Sequence, residues 1–146
     1  MQNVSVHDKS LISYEVLCRE REIQLHTAFL DRQPHQYTDV IFQGVAAYHF
    51  VGDNFNTIIS NIDEVDVERI YSENEELFVE SMDFVWPMLY ESKEELLGKM
   101  KDENVRGFII HSSYGMAGWV WAESMRIELK DIGAAESTKG MQRTRN

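Results

Sequence analysis

The chain has 146 residues, 43% of them hydrophobic, with three Trp, six Tyr and seven Phe. That suffices for the core of one domain and argues against a wholly disordered chain. The formal net charge of −11 speaks against nucleic acid and anionic membrane surfaces, both of which require clustered Lys and Arg, and allows a basic protein partner. No apolar run approaches the roughly 18 residues of a membrane span, and the start MQNVSVHDKSLISYEV lacks the pattern of a secretory signal. The single cysteine, Cys18, excludes an internal disulfide and a cysteine zinc site. It reads as a small strand residue. These features together point to a cytoplasmic protein.

Residues 1–9 are polar and read as a flexible start, 10–132 as one domain, and 133–146 as a polar, disordered tail ending in Lys139, Arg143 and Arg145. Residues 11–17 read as a strand with Ile12, Tyr14 and Val16 on one face. Residues 22–30 alternate cleanly, with Ile23, Leu25, Thr27 and Phe29 on one face. Period-two alternation implies a sheet with one buried face, and the two segments suit an antiparallel hairpin. A long β-type run covers 38–51, with Gly44 marking a bulge or bend. Gly52-Asp53-Asn54 is a turn signal, and 56–62 read as a short fourth strand.

A helix is expected from about Asp66 to Phe84. Val67, Ile70, Tyr71, Asn74, Leu77, Phe78, Ser81 and Val85 fall on one stripe at about 100° per residue, and Trp86-Pro87 stops it. Ser92-Lys-Glu-Glu95 has the form of a capping box opening a second helix, buried through Leu96, Leu97 and Met100. Residues 105–112 and 118–129 read as two more strands. In the last, Trp119, Trp121, Met125, Ile127 and Leu129 share a face on which Glu123 is the one charge. The expected class is therefore α+β: a largely antiparallel sheet of about six strands in the order ββββ-αα-ββ, with both helices packed on one face.

The charge is concentrated. Twelve acids and two bases (Arg69 and Lys93) lie between Asp63 and Glu95, so this stretch carries ten of the eleven net negative charges. Glu68, Glu73, Glu75, Glu76, Glu80 and Asp83 fall off the apolar stripe. Like-charged pairs such as Glu76 and Glu80 cost a helix a few tenths of a kcal/mol each. A solvated face explains the pattern, and so does an acidic docking surface that steers a basic partner. Trp86 and Tyr114 are the aromatic candidates at the edge of such a surface.

No phosphate-loop, dinucleotide, zinc-protease or serine-hydrolase motif occurs. Asp53–Thr57 lacks the acids and the glycine of a calcium loop. No catalytic residue, metal ligand or cofactor is assigned. His26, His49 and His111 lie on expected strands, and a polar pocket near His49 and His111 would make the protein a small enzyme or ligand-binding domain.

The opening hairpin, the strand Asp39-Val-Ile-Phe-Gln-Gly-Val-Ala-Ala-Tyr-His-Phe50 and the acidic helix after it resemble the small bacterial immunity proteins of polymorphic and contact-dependent toxin systems. That resemblance implies a non-enzymatic protein that inhibits a basic partner, often a toxin nuclease. A homodimer, or a self-associating structural protein, is the further alternative.

Overall fold

In the computed structural model, residues 8–31 and 33–130 are described. Residues 1–7, with His7, and the 131–146 segment carrying Lys139, Arg143 and Arg145 lie outside them. Six strands form: β1 (Lys9–Leu17), β2 (Glu22–Phe29), β3 (Gln36–Val51), β4 (Ile58–Val65), β5 (Arg106–Tyr114) and β6 (Ala117–Leu129). Between β4 and β5 come α1 (Val67–Glu73), α2 (Glu75–Ser81), a 3-10 turn at Met82–Phe84, and α3 (Lys93–Asp102).

The sheet is not open. Every neighbouring pair is antiparallel and the strands close in the order β1-β2-β3-β6-β5-β4. The expectation of an open sheet with two helices on one face is therefore corrected to a closed six-stranded barrel carrying three short helices on its outer wall. Closure rests on a short seam, the pairs Lys9↔Ile59 and Ser10↔Ile58 between β1 and β4. A non-local contact of two residue pairs leaves no period or composition to read in the chain.

Two cores result. Ile23, Leu25, Val40, Phe42, Phe108, Ile110 and Val120 fill the barrel interior, as expected where a small barrel has room only for its own side chains. Met116, in the turn between β5 and β6, is fully buried and folds into the same interior. The second core lies outside the wall, where Ile70, Tyr71, Phe78, Leu96 and Met100 pack on Trp119 and Trp121.

β6 serves both cores. Val120 and Ala122 face the interior with Met125 and Ile127, while Trp119 and Trp121 face the helices. The expected single face, from Trp119 through Leu129, is therefore broken by a two-residue step at Glu123-Ser124. β3 makes the matching step at Gln43-Gly44, between Phe42 and Val45, and the pairs Gln43↔Ser124 and Val45↔Ala122 stay in register. Gly44 permits this because its φ is +65°, a region that favours glycine. In β1 a register shift between Leu11 and Ser13 turns Ile12 outward, and Leu11 joins Tyr14 and Val16 against the interior.

The expected single helix is interrupted at Asn74 (φ −129°, ψ 27°), whose side-chain amide donates to the Ile70 carbonyl at 2.8 Å. Asn at such a site competes with the helical ladder. Helix α3 opens as expected: Ser92 Oγ accepts from the Glu95 amide, and Glu95 Oε1 accepts from the Glu91 amide.

Phe78 joins the helices to the barrel. Its ring stacks on Trp121 and Trp119 at 5.1 and 5.5 Å and also meets Tyr71 and Trp86. Phe78→Ala is expected to cost about 3–5 kcal/mol. Near-ultraviolet circular dichroism should lose the tryptophan signal, while hydrogen exchange in β2 and β3 stays slow.

The helical run ends at Val85, whose amide donates to the Met82 carbonyl while the Trp86 amide donates to that of Ser81. Val85 has φ +57° and is largely exposed, so a β-branched residue occupies a left-handed cap. Replacing it by glycine should relieve about 1 kcal/mol of strain and raise Tm by several degrees, measured by thermal denaturation.

Candidate acidic docking face

α1 and α2 present one apolar side to the wall through Ile70, Tyr71 and Phe78. Val67 and Leu77 pack partly against the same core, and the acidic positions face water. Glu68, Glu73, Glu75, Glu76, Glu80 and Asp83 are all exposed, as the sequence predicts. Two have counter-ions: Arg69 Nε meets Glu73 at 3.0 Å, and Lys93 Nζ meets Glu68 at 3.7 Å. Glu75, Glu76, Glu80 and Asp83 have no ion pair among the described residues. The offset is therefore confined to α1, and α2 with the turn after it is left uncompensated. Glu64, four residues before Glu68, lies on β4 and pairs with Arg106 at 3.4 Å.

Charge is only part of this surface. Val79 and Val85 are each 54% exposed, Leu89 76% and Phe84 83%. All four lie in the same run as the unpaired acids. Val85 belongs to the expected buried stripe, but the helix ends before it and the left-handed cap turns it outward. Val79 was readable as an apolar residue off the stripe. Trp86 is half-buried, packed on Phe78 and Trp119. Tyr114 is not on the helical run. It sits at the end of β5, exposed and paired with Ile58 of β4.

The three strand histidines do not form one cluster. His111 Nε2 lies 3.1 Å from Asp63 Oδ2, on β5 and β4. It lines a cavity of about 340 Å³ with Ile70, Asn74 and Trp119. His49 is not part of that lining and lies beside the Trp119 ring at 6.4 Å. Among the described residues no group of three His, Cys, Asp or Glu is placed to hold a metal ion. Cys18 is exposed in the turn after β1 rather than within a strand. No helix among the described residues is long and apolar enough to cross a membrane.

His26 carries a network that sequence spacing does not reveal. Its Nδ1 lies 2.9 Å from Asp39 Oδ1 and its Nε2 2.7 Å from Glu15 Oε2, and Lys130 Nζ reaches Asp39 Oδ2 at 3.2 Å. Three strands and the residue after β6 are thus tied together. Register explains it: His26 pairs with Asp39 across β2 and β3, and Glu15 is two positions along from its partner Ser13 on β1, on the same face.

No family model matches the chain, and no curated protein or solved structure gives a significant match. The functional reading therefore stands on this chain's own residues.

Burial lowers the His26 pKa, but the hydrogen bonds to Asp39 and Glu15 outweigh it and leave the pKa above the ordinary 6.5. A raised folded-state value means that His26 stabilises the fold fully below pH 6.5, a contribution lost as pH rises through the folded pKa. Thermal melts should show Tm falling across that window. In His26→Gln that part of the decline should be absent.

Proposed function

We propose that this protein is a binding protein that inhibits a basic partner through the α1–α2 face, in the manner of the immunity proteins its layout resembles, with a toxin nuclease as the fitting partner class. One observation carries the reading: four acids without counter-ions among the described residues (Glu75, Glu76, Glu80 and Asp83) share a short run with four exposed apolar residues (Val79, Phe84, Val85 and Leu89). A face that was merely solvated would have no need of the second set. Apolar contacts supply the affinity of an interface, and unpaired acids supply its orientation and encounter rate. A carboxylate-rich surface also competes for cationic sites that would otherwise hold phosphate, which suits the inhibition of a nuclease.

The same charge makes the interaction salt-sensitive, because the Debye length falls from about 10 Å at 0.1 M to about 3 Å at 1 M. Immobilised protein should capture chains of high pI from the cells that naturally express it. Elution should begin as salt rises, and Glu75→Lys combined with Glu76→Lys should reduce capture about tenfold or more. Mass spectrometry of the eluates reads both. Capture that survives the double charge reversal removes this face from the mechanism.

A further inference from the structure

Glu123, at the phase step of β6, has no role in the acidic docking surface. It borders a different feature: a cavity of about 420 Å³ between the barrel wall and α3. That volume is within the range of small-molecule sites. Its apolar lining includes Met88, Met100, Val105 and Trp121. Four charged residues reach it: Arg21 and Lys99, Glu103 and Glu123. Lys99 and Glu103 pair with each other at 3.7 Å. Arg21 and Glu123 have no ion pair among the described residues, either with each other or with a third group.

Both stand beside the phase step at Gly44. The Arg21 carbonyl accepts from the Val45 amide at 2.9 Å, and Arg21 has φ +54° at the end of the β1–β2 turn. Glu123 lies across Gly44 so closely that a Cβ there would come within 2.6 Å of its carboxyl carbon. Glycine at this position is therefore what lets Glu123 lie over the strand. Arg21 stands on the β2 side of this strand, the Glu123 carboxylate lies over Gly44, and both line the cavity with an apolar wall beside them. Trp121, part of that wall, keeps a buried indole N–H that has no acceptor among the described residues.

We propose that this cavity binds a small zwitterion with an apolar group, of which an α-amino acid with a large apolar side chain is the simplest case. Arg21 takes the carboxylate, Glu123 takes the ammonium, and Met88, Met100 and Val105 receive the side chain. Charge narrows the class. A simple anion meets the field of a chain of net charge −11, and a simple cation meets Arg21 and Lys99; a zwitterion meets neither penalty. The site shares no residue with the unpaired acids of α2, so it stands whether or not that face binds a partner.

Titration of the whole protein with leucine, methionine, phenylalanine and tryptophan tests this, read by calorimetry and, for the first three, by tryptophan fluorescence. At least one should bind with a Kd on the order of 1 mM or tighter. The N-acetyl and the carboxamide forms of the same amino acid should bind about tenfold to a hundredfold more weakly, since each loses a charged hydrogen bond. Arg21→Met should weaken the free amino acid but not its carboxamide, and Glu123→Gln should weaken it but not its N-acetyl form. Absence of binding by all four amino acids overturns the proposal. So does equal binding of the blocked forms, which require no variant and so decide the matter even if a substitution disturbs the fold.

Discussion

The contact between Phe78 and the two tryptophans of β6 holds this protein's two layers together. A closed barrel has no edge along most of its circumference and does not require a helical layer. What requires one here is the outer surface of β6, where Trp119 and Trp121 would otherwise stand in water. Phe78 stacks on both, with Tyr71 and Trp86 around it. Aromatic pairs of this kind add about 0.5–1.5 kcal/mol each beyond the area they bury. The cluster also accepts a cost, since the indole N–H groups of Trp119 and Trp121 lack acceptors among the described residues. An unsatisfied buried donor costs about 1–3 kcal/mol, and the burial of five aromatic rings outweighs it.

The acidic segment depends on that anchor. Like-charged neighbours give an isolated helix nothing, and α1 and α2 are only seven residues each, well below the length at which helices are stable alone. Their conformation therefore comes from packing, and their free side is released from any structural duty. This separation explains how ten net negative charges can gather in one segment of a folded chain. The inner side supplies the stability, and the outer side can be chosen for a partner.

Paired irregularities position everything else. The phase steps in β3 and β6 occur opposite each other, so the ladder between them survives while each strand changes which side it buries. One consequence is that the residues before the step serve two cores. Another is that Glu123, at the step itself, reaches the cavity beside α3. The His26 network arises likewise from register, because Asp39 stands directly across from it and Glu15 two places along from its partner on β1.

Much of this was legible from the chain. The strand segments, the Ser92 cap, the exposed acids and the concentration of charge follow from alternation, capping chemistry and composition, which are local properties. Closure of the barrel was not legible, because it depends on two residue pairs between strands nearly fifty positions apart. The tetrapeptide Trp119–Ala122 held a signal that strict alternation conceals: four apolar residues in succession indicate burial on both faces. Nor could the chain show that Val85 would turn outward, that Arg21 and Glu123 would line one cavity, or that His26 would sit between two carboxylates. The sequence by itself determined which segments are strands and helices and where the charge lies, since these depend on neighbours along the chain. The tertiary structure alone decided which faces meet and which charges remain unpaired, since these depend on register and closure between residues far apart in sequence.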